Sequence, residues 1–431
     1  MTSEKRCPSC RNPIADFQSC VEKPFETLQN RKPGMSLLSQ SRRLAGILAV
    51  LSVAIVSSSE TLANPKIAVD VASGRVIEHE QAFQRWYPAS LTKLMTIYVV
   101  FKAVRAGQLT MDTPVTMSVV AAKEPASKMY FQPGERFTLD SALKYLMVKS
   151  ANDVAVAIAE AVSGTEEAFV RDMNAAALQL GMTSSRFVNP NGLPGEGQYS
   201  TVRDMAVLAV ALRREFPEYA HYFGYEGFSY GGKAYTNYNL LIGRFPDADG
   251  MKTGFICASG FNQTSSATRN GKAVVSVVFG AASQEERAEE SARLLHKALT
   301  TTARGSTTLA NLEPYGEGRD RVADISGSIC TAEARAARYE GRDVEGKMVL
   351  NSPYLIPMER EARLVQAPAG LPRAGVEIAL SRVPIPLPRP GRTLAGQVEP
   401  FAASAFTAPA KPAEIMPLRP TVPIPVPRPQ I

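Results

Sequence analysis

The sequence is poor in the residues that metal centres and histidine-based catalytic triads require. Its 431 residues include only five cysteines and three histidines. No group of histidine, cysteine and carboxylate residues has the spacing of metal ligands. His79, His221 and His296 all lie outside any recognisable triad motif. We therefore predict a protein that uses neither a metal nor another cofactor, and whose chemistry does not depend on a histidine base.

Dense basic blocks are also lacking. The formal net charge is +7, but lysine and arginine are spread along the chain and are not interleaved with aromatic residues. That distribution argues against nucleic acid as a partner. A mild positive charge fits an anionic polymer instead.

The sequence contains no apolar stretch long enough to span a bilayer comfortably. Residues 44–56 form an apolar stretch of 13 residues. It follows Arg42-Arg43 and leads through small residues to Ala63, the pattern of a secretory signal peptide. We therefore assign residues 35–63 to a signal peptide, interpret residues 1–34 as a non-native extension before the true start, and predict export to the periplasm.

Cleavage after the predicted signal peptide leaves only Cys257 and Cys330 of the five cysteines. Two cysteines in an oxidising compartment are candidates for a disulfide. The sequence does not show whether their Cα atoms lie close enough to be bridged, so the pairing is a hypothesis.

Between residues 64 and 302, strand patterns at both ends enclose a helical middle. Strands are predicted at 66–71, 75–79, 251–256, 261–269 and 272–279, the last two joined by Asn270-Gly271, which favours a type I′ turn. Helices are predicted from residue 90 to a stop at Gly107, and at 153–162, 166–180, 202–214 and 283–299. This order predicts an α+β domain in which helices pack on an antiparallel sheet.

The pattern weakens after residue 302. We interpret residues 303–382 as a linker or a small C-terminal region. Residues 383–431 contain 13 prolines, and the phrase at 383–390 returns almost unchanged at 422–429. Such a tail favours polyproline II, as a spacer or as a docking peptide for a protein partner; a disordered tail without a specific partner is the alternative.

Three short motifs occur in order along the predicted domain. They are Ser90-Leu91-Thr92-Lys93, Ser150-Ala151-Asn152 and Lys252-Thr253-Gly254. Each alone has a structural explanation, as a solvated helix lysine, a helix cap or a bend in a strand. All three in this order resemble the motif set of the class A β-lactamases and penicillin-binding proteins, which are serine acyl-transfer enzymes.

The first motif has a physical logic of its own. Residues three apart share a helix face, so Lys93 can place its amine beside the Ser90 hydroxyl. A lysine acts as a base only when it is neutral, and burial together with a nearby cation, for which Lys252 is the candidate, lowers its pKa. The backbone N–H groups of Ser90 and Phe255 are candidate donors to a developing oxyanion.

Around these motifs the sequence resembles the low-molecular-mass penicillin-binding proteins, the D-alanyl-D-alanine carboxypeptidases. The matching sequence segments are residues 87–96, 149–153, 187–193, 199–206 and 250–254. The resemblance spans about residues 65–299. It implies a β-lactamase-like fold with a helical subdomain, an acyl-enzyme on Ser90, a peptidoglycan stem peptide as substrate and covalent inhibition by penicillins.

The resemblance also implies roles for the remaining motif residues. Lys252 and Thr253 would meet the carboxylate of the substrate, Ser150 would relay a proton to the leaving amine, and Asn152 would hold the substrate amide. Gly254, which has no side chain, would let the substrate lie close to its strand.

The C-terminal region departs from many of these relatives, which continue with a small β domain and an amphipathic membrane-surface helix. The proline-rich tail has no basic amphipathic pattern. Peripheral association with a membrane is therefore left open.

Several functions stay compatible with the motifs. The leading hypothesis is a carboxypeptidase that removes the terminal D-alanine, and an endopeptidase that cuts D-alanyl cross-links is a close alternative. A β-lactamase is disfavoured because no glutamate motif of the deacylating kind is recognisable, although Glu196 keeps it open. A non-catalytic wall-binding scaffold is the alternative of another class.

Overall fold

The computed structural model describes residues 64–302, 305–340, 350, 352–368 and 370–371. The expected extension at 1–34, the signal peptide at 35–63 and the tail at 383–431 lie outside the described residues, as does part of 303–382. Within the described part of the chain, none of the helices has the length and apolar character that a bilayer crossing requires.

Ten strands and nine α-helices occur in these residues. The strands are β1 (Lys66–Asp70), β2 (Val76–Glu80), β3 (Pro114–Thr116), β4 (Arg136–Thr138), β5 (Gly227–Tyr230), β6 (Lys233–Thr236), β7 (Ala248–Ile256), β8 (Gly260–Arg269), β9 (Lys272–Ala281) and β10 (Leu364–Gln366). The helices are α1 (Lys93–Arg105), α2 (Val119–Ala122), α3 (Leu139–Lys144), α4 (Asn152–Ser163), α5 (Glu166–Gln179), α6 (Val202–Glu215), α7 (Gln284–Thr300), α8 (Ser326–Ile329) and α9 (Ala332–Glu340).

The main sheet has five antiparallel strands in the order β2-β1-β9-β8-β7. Alternate residues of β9 point to opposite faces, yet both sets are apolar. Val274 and Val278 pack with Ala292 and Leu295 of α7, whereas Val275 belongs to the larger core that includes α6. Helices therefore cover both faces of the sheet, and the predicted α+β fold is confirmed.

The β8–β9 hairpin follows its sequence prediction closely. Asn270 and Gly271 have φ values of +51° and +80°, as a type I′ turn requires at both central positions. The turn fixes the register from Arg269↔Lys272 through Thr264↔Val277. The same sheet holds β7, the edge strand that carries the third motif.

The structure adds short elements that the sequence did not predict. A 3-10 helix at Pro217–Phe223 and the β5–β6 hairpin lie in a region predicted as loops around one helix. β3 and β4 pair with each other, and a π-helical turn at Tyr145–Lys149 precedes the second motif. These elements are three to seven residues long, too short for hydrophobic periodicity to identify.

Described residues beyond 302 lie against this α+β unit. β10 pairs in parallel with β5, and Thr308 bridges to Arg75. The hypothesis of a Cys257–Cys330 disulfide is confirmed: the two Cα atoms lie 5.6 Å apart, within the range that the bond demands. The bond ties the segment around α8 and α9 to the end of β7.

Candidate active site

The three motifs meet in one cleft of about 350 Å³. Its walls include six of the eight residues singled out from the sequence: Ser90, Ser150, Asn152, Thr253, Gly254 and Phe255. The other two, Lys93 and Lys252, lie behind the walls and are 0% and 2% exposed. The fold thus brings together residues that are up to 165 positions apart, from Ser90 to Phe255.

Lys93 lies directly behind the Ser90 hydroxyl. Its Nζ is 2.9 Å from Ser90 Oγ, 2.8 Å from Asn152 Oδ1 and 2.5 Å from the Asn191 carbonyl oxygen. Two of these three partners are carbonyl oxygens, which can only accept. A neutral amine therefore donates its two N–H groups to them and turns its lone pair towards the Ser90 hydroxyl.

The surroundings of Lys93 favour that neutral form. Complete burial holds the pKa of Lys93 well below its usual range, and the positive charge of Lys252 lowers it further. The carboxylates of Asp153 and Glu124 oppose the shift without cancelling it. These surroundings therefore favour the neutral amine, the form that a general base needs.

Ser90 itself lies in a 3-10 turn, Ala89–Thr92, immediately before α1. Ala89 has a φ of +49°. Two glycines allow neighbouring segments to close on this turn. A Cβ on Gly192 would come within 1.9 Å of the Ala89 carbonyl oxygen, and one on Gly254 within 2.9 Å of the Ser90 nitrogen. The structure therefore gives Gly254 a further reason to lack a side chain: β7 packs against the turn that carries the nucleophile.

Ser150 lies across the cleft at the end of the π-helical turn, in the left-handed region with a φ of +59°. Its Oγ is buried and has no hydrogen-bond partner among the described residues. An unpaired hydroxyl at this position is available to a substrate amine. Asn152 differs, because its Oδ1 accepts from Lys93 and its Nδ2 donates to the Pro125 carbonyl at 3.0 Å.

The β7 side of the cleft is cationic. Burial lowers the pKa of Lys252 to about 7, with a further contribution from the charge of Arg287. Lys252 Nζ donates to the Thr253 carbonyl at 2.9 Å, its only hydrogen bond within the described residues. Arg287, in the first turn of α7, is 3% exposed and lines the same cleft as Thr253. Its Nε has no partner in the described part of the chain.

Sequence reasoning missed the roles of Asn191 and Arg287. Asn191 lies within the matching segment at 187–193. However, it contacts the Lys93 amine through its backbone carbonyl, a group that any residue supplies. Its side chain donates to Glu124 Oε2 at 2.8 Å and so secures the loop behind Lys93. Arg287 belongs to the charged start of a helix, Gln284-Glu285-Glu286-Arg287, and such a run normally indicates a solvated face.

Comparisons with known proteins agree with this geometry. A family model described as D-alanyl-D-alanine carboxypeptidase matches residues 52–283. The D-alanyl-D-alanine carboxypeptidase DacF of Bacillus subtilis is 34% identical over 238 residues, 54% of this chain and 61% of the relative. The match thus spans less than two thirds of that protein's length.

Solved structures show the same fold. The crystal structure of the D-alanyl-D-alanine carboxypeptidase DacD from Francisella tularensis superposes with a TM-score of 0.54 at 32% identity, over 55% of this chain and 70% of that one. Penicillin-binding protein D2 from Listeria monocytogenes in its ampicillin-bound form gives a TM-score of 0.51 at 27% identity, over 55% and 97%.

Proposed function

The chain belongs to the D-alanyl-D-alanine carboxypeptidase family, and on that premise we propose that it removes the terminal D-alanine from peptidoglycan stem peptides through an acyl-serine intermediate. One observation carries the proposal. A fully buried lysine amine, whose pKa is lowered by its surroundings, lies 2.9 Å from the hydroxyl of Ser90 at the cleft wall.

Acylation begins with the Ser90 hydroxyl. Lys93 Nζ takes the proton from Oγ as Oγ attacks the carbonyl carbon of the penultimate D-alanine. Negative charge develops on the carbonyl oxygen, towards which the backbone N–H groups of Ser90 and Phe255 are the candidate donors. The C–N bond then breaks, and the departing amine receives a proton that passes from Lys93 by way of the unpaired Ser150 hydroxyl.

The carboxylate of the departing D-alanine fits the cationic side of the cleft. Thr253 and Arg287 both line the cleft, and the Arg287 Nε has no partner among the described residues. A buried cation with unpaired donors gains more from a carboxylate than an exposed one does, because charge-assisted hydrogen bonds strengthen away from water. This recognition selects a substrate whose departing residue carries a free carboxylate next to the scissile amide, as the terminal D-alanine does.

Deacylation repeats the same proton transfers with water. Lys93 is neutral again once it has passed its proton to the departing amine, so it can take a proton from a water molecule that attacks the ester carbon. The ester bond breaks, Ser90 recovers its proton, and the shortened peptide leaves with a new carboxylate.

The proposal includes inhibition by penicillins, which would acylate the same Ser90. The ampicillin-bound relative of the same fold supports this part. The proposed location is the periplasm, supported by the secretory pattern at 35–63 and by the Cys257–Cys330 disulfide, which suits an oxidising compartment. A protein partner for the proline-rich tail is also proposed, from its repeated phrase alone.

The test uses purified protein and a Ser90→Ala variant with a diacyl-Lys-D-Ala-D-Ala peptide and a labelled penicillin. We expect release of D-alanine and stable labelling from the original protein, and neither from the variant. Rapid turnover of the penicillin would indicate a β-lactamase, and an absence of labelling would contradict the proposal. Cross-linked muropeptides, offered in parallel, measure the endopeptidase activity.

A further inference from the structure

A second cavity continues the cleft beyond Phe255. It has a volume of about 410 Å³ and shares Phe255, Phe261 and Gln284 with the active-site cleft. Its far wall comes from the C-terminal segment, through Cys330, Arg335 and Arg338. That segment lies outside residues 52–283, which the family model matches.

The far wall is fixed to the sheet. The Cys257–Cys330 disulfide joins it to the end of β7, and Ile325 N donates to the Ala258 carbonyl at 3.0 Å. The guanidinium of Arg338 lies 5.6 Å from the centre of the Phe261 ring and donates to the Ile329 carbonyl at 2.8 Å. A wall held by covalent, polar and cation–π contacts can position a charged side chain for recognition.

Two unpaired opposite charges face this cavity. Arg335 is exposed, and its guanidinium has no partner among the described residues. Glu285, from the first turn of α7, makes no side-chain hydrogen bond or ion pair within the same residues, although its negative charge acts on the nearby Arg287. Arg338 donates through Nη1 to the Ile329 carbonyl, a contact that holds its guanidinium in place. The cavity therefore offers a cationic group, Arg335, and an anionic group, Glu285, whose side chains form no hydrogen bond or ion pair among the described residues.

The direction of the substrate follows from the proposed function. Its terminal carboxylate lies at Thr253, and the candidate oxyanion donor is Phe255, two residues further along β7. The acyl part of the peptide must then continue towards Cys257, about 7 Å beyond Phe255 at the usual strand rise. The second cavity lies on this acyl side of the scissile bond.

We propose that Glu285 and Arg335 form a subsite for the residue preceding the two D-alanines, and that its preferred side chain ends in both an ammonium and a carboxylate group. Glu285 accepts from the ammonium, and Arg335 donates to the carboxylate. A lysine side chain would satisfy Glu285 alone. The inference rests on the proposed function, since it assumes that the acyl part of the substrate lies along β7.

The experiment compares two peptides, acyl-X-D-Ala-D-Ala with X either lysine or diaminopimelate, a diamino acid whose side chain carries both groups. We expect the original protein to prefer the diaminopimelate peptide. Arg335→Ala should lower kcat/KM about 5- to 10-fold for that peptide and leave the lysine peptide within about twofold. Glu285→Gln should lower kcat/KM for both peptides about threefold, because both carry the ammonium.

Arg321→Ala is the matched control, since Arg321 is an exposed arginine of the same C-terminal region that does not line the cavity. It should leave both peptides unchanged. If Arg335→Ala changed kcat/KM equally for the two peptides, or changed it for neither, the subsite would be overturned. The proposed function would still stand in that case, provided that D-alanine is released from both peptides. If neither peptide were cleaved and Ser90 were not acylated, the proposed function would fail and the subsite with it.

Discussion

The two sides of the cleft differ in how completely their polar groups are paired. On the helical side, Lys93 has three partners and Asn152 uses both of its polar atoms. On the β7 side, Lys252 bonds only to the carbonyl of the next residue within the described chain, and Arg287 keeps an unpaired Nε.

This difference separates two tasks. A general base must stand in one place and one protonation state before the substrate arrives, so the protein pairs the groups that hold Lys93 and leaves only the Ser150 hydroxyl on this side for the departing amine. A binding surface for a carboxylate gains affinity when its donors lack other partners. The helical side is thus preorganised for proton transfer, and the β7 side is completed by the ligand.

The largest effect should follow from Lys93→Met, which removes the base and keeps a side chain of similar length in the buried site. We expect kcat/KM for D-alanine release to fall about 10³- to 10⁴-fold, since general-base catalysis and the pairing of Ser90 are both lost. Labelling by penicillin should slow in parallel. A loss below about tenfold would mean that another group deprotonates Ser90, and the proposed division between the two sides would be wrong.

Gly254→Ala tests whether the two sides must be in close contact. The added Cβ would lie 2.9 Å from the Ser90 nitrogen and 3.1 Å from the Pro88 carbonyl oxygen, so β7 or the turn must shift. Because displacements of about 1 Å at reacting groups cost about 100-fold, we expect kcat/KM to fall by about that factor. Gly271→Ala, in the distant β8–β9 turn, is a control in which added strain should lower stability but leave kcat/KM unchanged.

Arg287→Gln should weaken the β7 side alone. We expect KM for the peptide to rise about tenfold with kcat changed less than threefold, as for a lost charge-assisted contact to the carboxylate. Equal losses in kcat and in kcat/KM would place Arg287 among the groups that act only in the transition state.

The same variant should change the pH profile. Lys252 has a pKa of about 7, so it loses its charge as the pH rises through that value, and kcat/KM should decline there. Removing the Arg287 charge removes one cause of the lowered pKa, so the decline should move to higher pH. If the decline of kcat/KM occurred at the same pH in Arg287→Gln as in the original protein, Lys252 would not be the group that controls it.

The smallest effect on catalysis should come from the double variant Cys257→Ser and Cys330→Ser. It removes the disulfide that ties the segment around α8 and α9 to the end of β7, but leaves both sides of the cleft intact. We expect kcat/KM for a short diacyl peptide to change about twofold or less. The free energy of unfolding should fall by about 2–4 kcal/mol, measured by denaturant titration without reductant. A large catalytic loss would mean that the disulfide holds β7 itself in position.

The sequence alone determined much of this molecule. The order of strands and helices, the Asn270-Gly271 hairpin and the residues of the three motifs follow from local patterns, because period-two and helical spacings and turn residues act over short distances. Cys257 and Cys330 were identified as a candidate pair on composition and compartment alone.

Only the tertiary structure decided the electrostatic state of the site. The lowered pKa of Lys93 depends on burial and on Lys252, a residue 159 positions away, and the Asn191 carbonyl acts through its position alone. Arg287 becomes a cleft residue because α7 packs on β8 and β9 of the sheet, and the disulfide brings Arg335 to the same end. Burial, pairing and pKa arise from long-range packing, which no local sequence pattern records.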